Sequence, residues 1–216
     1  MKKATLVIAM TFLSVSAHAA TVQSVAYSGG LASAEGWSLS GSGGEFNNGT
    51  DWAIFGGPQE ATRGLGGDLS IGQTVSIDLA TLGVASGDFV GVDFRQGTTT
   101  GIGYNFEGFG ATGNYGVFSA SGVTNSGIGF STNFKTIALK RDTSSNYTLS
   151  IDGPNFSSLT LANSATAINE IRVFNNTSGS GNDVLFDNFN VIAVPEPSSA
   201  ALLGLGGLAL ILRRRK

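Results

Sequence analysis

Short segments that alternate apolar and polar side chains, separated by turn residues, most constrain the fold of this chain. Residues 89–94, for example, place Val90, Val92 and Phe94 on one face, as expected for a half-buried strand. The other candidates are residues 75–79, 135–140, 147–151, 171–173 and 184–186, with weaker ones at 22–27, 37–39, 52–55 and 116–118. Roughly ten short strands predict an all-β fold, an antiparallel β-sandwich or jelly roll.

Glycine makes up 32 of the 216 residues, a composition that by itself is compatible with a disordered chain. However, 14 phenylalanines and regular β-branched runs lie between the glycines and supply the apolar surface that a core needs. Turn-forming sequences such as Asn48-Gly49 and residues 152–154 separate the strand candidates. Because neither a long amphipathic helix nor a repeat period is evident, the sequence favours one folded β domain.

The N-terminus has the three parts of a secretory signal peptide in the expected order. A positive Met-Lys-Lys start precedes a largely apolar run at 6–15, and Ala17 and Ala19 supply the small residues that a signal peptidase reads. A buried N-terminal helix is the alternative, but such a helix does not require this order. Residues 1–20 are therefore predicted to be a signal peptide, removed by signal peptidase, with the mature chain beginning near Thr21.

The C-terminus ends in an apolar run and a basic cluster. Residues 200–212 carry no charged or polar side chain, and the chain finishes with Arg213, Arg214, Arg215 and Lys216. This order is typical of a transmembrane helix whose basic end stays on the cytoplasmic side. The run is shorter than the roughly 20 residues of a spanning helix, which favours a temporary anchor over a permanent one.

The motif Pro195-Glu196-Pro197, followed by the apolar run and the terminal arginines, resembles the PEP-CTERM sorting signal of bacteria that make extracellular polysaccharide. The resemblance covers residues 194–216. It implies that an exosortase, an integral-membrane cysteine protease, cuts the chain near the Pro-Glu-Pro motif. It also implies a precursor anchored in the inner membrane and a mature protein in the cell envelope, at the cell surface or in the extracellular matrix.

Residues 21–193 remain as the ectodomain, with 6 basic and 14 acidic residues and a formal charge of −8. An acidic surface disfavours nucleic acid and anionic lipid as partners and is compatible with neutral glycans or cation-bridged polymers. The chain has no cysteine, and its one histidine, His18, lies in the predicted signal peptide. Ser-His-Asp catalysis, Cys-His catalysis and the usual zinc sites are therefore excluded for the mature chain.

Two short segments of the ectodomain resemble parts of laminin-G and concanavalin-A-like sandwiches. Residues 146–153 (NYTLSIDG) resemble a strand and turn of that group, and residues 183–191 (DVLFDNFNV) resemble its closing strand. The resemblance implies a lectin-like sandwich in which this late strand returns beside the first one.

Asp183 and Asp187 are the candidate metal ligands, because four residues of spacing place both on one face of a strand. With loop carbonyls they form a candidate calcium site, since calcium prefers oxygen ligands. The simpler interpretation is that Asp187 and Asn188 bond the adjacent loop and the backbone. Related sandwich glucanases carry a Glu-x-Asp-x-Glu triplet, which this chain lacks, so no catalytic residue and no cofactor other than calcium is predicted.

The candidate ligand-binding residues are Trp37, Trp52 and Tyr104, because an exposed aromatic ring can stack on the apolar face of a sugar. Tyr104 belongs to residues 101–116, a stretch rich in glycine and aromatics that is interpreted as a loop forming a binding edge. The alternative is that glycine beside an aromatic residue marks a bulge or a tight packing contact.

The sequence thus predicts an exported, non-enzymatic protein that an exosortase-type system sorts and cleaves, with a structural role in exopolysaccharide or biofilm. One alternative is a carbohydrate-binding module with a lectin-like sandwich. The other is a polysaccharide-active enzyme, which the absent histidine, cysteine and carboxylate triplet disfavour.

Overall fold

The structure is a computed structural model that describes residues 20–82, 84, 88–107, 113–176 and 184–193. Thr21–Ala193 forms one compact unit. The predicted signal peptide and the predicted transmembrane run therefore lie outside the described residues, apart from the backbone of Ala20. Within the described ranges, no helix combines the length and the apolar character needed to cross a membrane.

Strands account for most of the described chain, in agreement with the all-β prediction. Their bounds are β1 Ala20–Val25, β2 Ser38–Gly41, β3 Gly44–Asn47, β4 Trp52–Phe55, β5 Gln59–Gly64, β6 Thr74–Thr81, β7 Phe89–Gln96, β8 Thr99–Glu107, β9 Asn114–Ser119, β10 Gly122–Gly129, β11 Lys135–Arg141, β12 Tyr147–Ile151, β13 Asn155–Leu159, β14 Glu170–Asn176 and β15 Val184–Ala193. A short 3₁₀ helix, Ala32–Glu35, precedes β2.

The strands form two sheets that pack as a sandwich. One sheet has the order β13-β12-β11-β6-β15-β4-β3, with β1 also paired to β15, and the other has the order β10-β9-β8-β7-β14-β5-β2. The strand pairs whose register is defined among the described residues are all antiparallel, including the central β15–β6 and β14–β7 pairs. The antiparallel β-sandwich predicted from the alternating segments is confirmed.

The late strand β15 lies beside the first strand, as the resemblance to lectin-like sandwiches implied. Ser24 Oγ donates to Asn190 Oδ1 (2.6 Å), and the backbone N–H of Tyr27 donates to Asp187 Oδ1 (2.7 Å). From Ser24 to Tyr27, just after β1, the bonded residue of β15 moves back from Asn190 to Asp187. The two segments therefore run in opposite directions. The beginning of β1 and the end of β15 consequently lie at the same end of the sandwich.

The core lies between the sheets, where the inward residues of facing strands meet. In β7 these are Val90, Val92 and Phe94, the three residues that the alternation predicted. An aromatic cluster fills one part of this core: Trp37 packs against Phe186 with ring centroids 4.9 Å apart and against Trp52 at 5.9 Å. Such a continuous apolar interior is the main source of stability in a chain without disulfides.

The clearest sequence candidates all coincide with strands, whereas β3, β5, β8, β10 and β13 were not predicted. The most consequential error concerns residues 101–116, which were interpreted as a loop. Most of β8 falls there, as an internal strand between β7 and β9. Its glycines interrupt the apolar pattern on the outward side only, because Ile102, Tyr104 and Phe106 all face the core.

Candidate functional site

The three aromatic residues predicted to bind sugar are core residues. Trp37, Trp52 and Tyr104 are only 3%, 0% and 1% exposed, so none presents a ring face to a ligand. Tyr104 instead stacks on Tyr115 at 4.6 Å, and burial raises the pKa of its hydroxyl. The prediction that these side chains are exposed stacking platforms is wrong, and the alternative of a tight packing contact is correct for Tyr104.

Of the two candidate calcium ligands, Asp183 lies outside the described residues and Asp187 lies within them. Asp187 is in β15, where its carboxylate accepts the backbone N–H of Tyr27, and Asn188 Nδ2 donates to Asp78 Oδ2 (2.8 Å). This is the simpler interpretation given above, in which both residues bond neighbouring segments. In the part of the chain that the structure describes, no three His, Cys, Asp or Glu residues are grouped so as to hold a metal ion.

A concave feature of the described surface lies on the outer face of the seven-stranded sheet, and we call it the outer groove. It has a volume of about 430 Å³. Its lining comes mainly from β5, β7, β8, β9 and β14, with additional residues from flanking loops. The lining residues are Pro58, Gln59, Glu60, Phe89, Asp93, Thr100, Asn105, Phe118, Asn163, Arg172, Phe174, Asn175 and Asn176.

Strand alternation explains why these side chains share one face. In β7, Asp93 lies between the core residues Val92 and Phe94, and in β14, Arg172 lies between Ile171 and Val173. Successive side chains of a strand point to opposite sides of the sheet, so each of these charged residues points outward. The strands whose inward side chains build the core therefore also place the groove side chains on the outer face.

The floor of the outer groove alternates side chains with glycines. Asn105 of β8 lies opposite Gly91 of β7 and Gly116 of β9, while Gly103 lies between Asp93 and Phe118. Gly91 has no room for a side chain, because a Cβ there would lie 2.3 Å from the carbonyl oxygen of Tyr104. Glycine inside a strand often marks such a close approach. Gly91 and Gly103 are themselves buried, so the floor carries no side chain at these positions and separated polar and aromatic side chains surround them.

Arg172 is the centre of an ion network along one side of the groove. It donates from Nε (3.1 Å) and Nη2 to Asp93 Oδ2 and from Nη1 to Glu60 Oε1 (2.5 Å). Thr100 Oγ1 also donates to Asp93 Oδ2 (3.0 Å). Arg95 extends the network, with Nη1 lying 3.7 Å from Glu60 and from Glu170. The carboxylates thereby have fixed orientations at the groove wall.

The pKa of Arg172 reflects two opposing effects, its burial and the neighbouring carboxylates. Burial alone lowers the pKa of a guanidinium, but the neighbouring carboxylates of Asp93 and Glu60 outweigh burial and raise it. The guanidinium also lies over the ring of Phe174, with Cζ 4.6 Å from the ring centroid. Arg172 is thus a permanent cation that holds two carboxylates and one aromatic ring in place.

This arrangement offers amide and carboxylate groups to hydroxyls and apolar ring surface to a flat ligand. Phe89 and Phe118 are half-buried and border the groove, and Asn105 provides both a donor and an acceptor. The sequence analysis did not identify these groove residues. The available signal was a charged residue between two core residues of a strand, as at Asp93 and Arg172, but cross-strand register is needed to bring them together.

Comparison with known families identifies the C-terminal segment. Residues 193–216 match the PEP-CTERM protein-sorting motif, which includes Pro195, Glu196, Pro197 and the terminal basic cluster. The match confirms the resemblance noted in the sequence. Such a motif implies export, with an exosortase as the processing partner. No curated protein sequence matches the chain.

Solved structures with similar folds are sandwiches of low sequence identity. A protein of unknown function with a galectin-like fold from Bacillus subtilis has a TM-score of 0.55 at 10% identity, over 82% of this chain and 98% of that one. A carbohydrate esterase from the Shiga toxin-encoding bacteriophage phi24B has a TM-score of 0.57 at 17% identity, over 82% and 100%. A sialidase has a TM-score of 0.59 at 10% identity, but the match spans 74% of this chain and 17% of the sialidase. These similarities define a lectin-like sandwich fold.

Proposed function

We propose that this chain is an exported, non-enzymatic protein of the bacterial envelope or extracellular matrix that binds exopolysaccharide through the outer groove. Its signal peptide, residues 1–20, directs export, and an exosortase-type protease cuts the anchored precursor near Pro195. The mature protein then associates with exopolysaccharide or biofilm, as a structural component that holds the polymer. The ectodomain binds without a cofactor.

The observation that supports glycan binding most strongly is the composition and geometry of the outer groove. Hydroxyl-rich ligands need hydrogen-bonding groups of fixed orientation and an apolar surface for the face of the ring. Asn105 supplies the former, and Phe118 and Phe89 supply the latter. Gly91 and Gly103 add no side chain to the floor near these groups.

The same groove favours binding over hydrolysis. Glycoside hydrolysis needs one carboxylic acid that donates a proton and a second carboxylate that acts on the sugar. Here Arg172 engages both Glu60 and Asp93, so neither is free to transfer a proton to a glycosidic oxygen. Incubation of the mature protein with the polymers that it retains should therefore release no reducing ends.

Phe118→Ala is the variant that tests the groove. A stacking ring contributes on the order of 1 kcal/mol to the binding free energy. Without it, retention of the mature protein by its producer's exopolysaccharide in an affinity gel should weaken several-fold. Phe134→Ala is the matched control, since Phe134 lies outside the groove and is 38% exposed. Equal retention of both variants and the wild type would contradict a role for the groove.

Addition of a chelator should leave the retention of the wild-type protein unchanged. Loss of retention in the chelator would favour the alternative in which Asp183 and Asp187 hold calcium.

Processing at the C-terminus is tested by intact mass spectrometry of the mature protein from its producer. The measured mass should lack the basic cluster, residues 213–216. Replacement of Arg213, Arg214, Arg215 and Lys216 by glutamine should impair membrane retention and make cleavage inefficient, because the cluster resists translocation. A full-length C-terminus in the mature pool would instead indicate a permanent anchor.

A further inference from the structure

The positive charges of the outer groove are already matched within the protein. Arg172 pairs with Asp93 and Glu60, and Arg95 lies between Glu60 and Glu170. On this part of the described face, three carboxylates stand against two guanidiniums. A uronate or sulfate would have to displace one of these carboxylates or lose its hydration without a counter-charge, and both alternatives are costly.

The hydroxyl groups of a glycan, by contrast, would find hydrogen-bonding partners in the outer groove. Asp93 uses Oδ2 for Arg172 and Thr100, while its Oδ1 lies over Gly103. A Cβ at position 103 would be 2.6 Å from Asp93 Oδ1 and 3.5 Å from Cβ of Phe118. Asp93 and Gly103 are both buried, so the accessible polar group that borders the groove with the half-buried ring of Phe118 is the side-chain amide of Asn105.

We infer that the groove selects uncharged glycans, and that Asn105 is a specificity-determining residue because its side-chain amide meets a sugar hydroxyl beside Phe118 without adding a charge. This inference rests on the proposed function and names its ligand class: a neutral polysaccharide. A polyuronate is excluded by the saturated guanidiniums. The carboxylate of Asp93 accepts from Arg172 and Thr100 and takes part in no bond breaking.

Affinity electrophoresis of the mature protein through gels containing dextran, galactomannan or alginate tests the charge class. At least one of the two neutral polymers should retard the protein, and alginate should not. Retardation should also be the same in low and high salt, since screening weakens only contacts between net charges. Retardation by alginate that disappears at high salt would overturn the inference but leave glycan binding in place. No retardation in any of the three gels would overturn both.

Asn105→Ala tests the proposed residue, with Asn133→Ala as its matched control. Asn133 is exposed, lies outside the groove and donates its backbone N–H to Ser131 Oγ. Asn105→Ala, which adds no atom that could clash, should weaken binding of the neutral polymer several-fold, as expected for the loss of a hydrogen bond, while Asn133→Ala binds as the wild type. Wild-type affinity in Asn105→Ala would overturn the inference.

Discussion

Trp52→Ala is expected to destabilise the ectodomain by about 3–5 kcal/mol, because it empties a fully buried site in the aromatic part of the core. The Trp52 ring packs against Trp37 at 5.9 Å, Phe186 at 5.7 Å and Tyr27 at 6.3 Å. These rings belong to β4, β15 and the segments that flank β1 and β2, so one substitution loosens both chain ends of the sandwich. Denaturant unfolding followed by tryptophan fluorescence and circular dichroism measures the loss.

Phe55→Ala is the matched control, since Phe55 ends the same strand and is 38% exposed. Its ring touches only Phe46 among the described aromatic rings, at 5.5 Å, so we expect its removal to cost about 1 kcal/mol or less. Similar losses in the two variants would show that Trp52 is not part of a packed core. That outcome would reopen the interpretation of Trp52 as a surface residue.

Arg172→Met is expected to have the second large effect, about 3–5 kcal/mol, because it leaves the buried carboxylate of Asp93 without its cation. Methionine keeps much of the side-chain volume, so the loss would come mainly from the charge. The double variant Arg172→Met with Asp93→Asn should recover most of the stability, since no unpaired charge then remains. Both variants should lose glycan binding, because the groove wall changes in each.

An exposed ion pair provides the control for this second prediction. Lys140 Nζ lies 3.0 Å from Asp142 Oδ1, with the Lys140 side chain 50% exposed. Surface pairs of this kind contribute about 0–1 kcal/mol, so Lys140→Met should scarcely change the midpoint of urea unfolding. If Arg172→Met behaved like Lys140→Met, the network at the groove would be a loose surface arrangement and would not position a binding site.

The sequence predicted the sandwich where strand alternation was clean. Residues 147–151 are β12 without a shift at either end, and the three inward residues of β7 were correctly named. It failed where glycine replaced one side of the pattern. In β8 the core side is fully apolar, but Gly103 and Asn105 on the outer side made the stretch resemble a loop. Glycine and asparagine on the outer side of a strand thus weaken the alternating pattern from which the strand would be predicted.

The candidate site was harder to predict than the fold for a related reason. Trp37 and Trp52 were natural candidates for sugar stacking, yet large aromatic residues are also the most effective core residues, and burial decides between the two roles. Of the groove residues, Asp93 and Asn105 come from the consecutive strands β7 and β8, whereas Arg172 of β14 follows Asp93 by 79 residues. The proximity of Arg172 depends on the pairing of β14 with β7, which no local pattern reveals.

The most direct test of glycan binding by the outer groove is to map the binding surface by NMR. Backbone amide shifts of the isotope-labelled mature protein would be followed while a neutral oligosaccharide from a retarding polymer is added. We predict that the shifts concentrate on the outward residues of β7, β8, β9 and β14, around Asp93, Asn105 and Phe118. Shifts confined to the eight-stranded sheet, or no shifts at saturating sugar, would contradict the account.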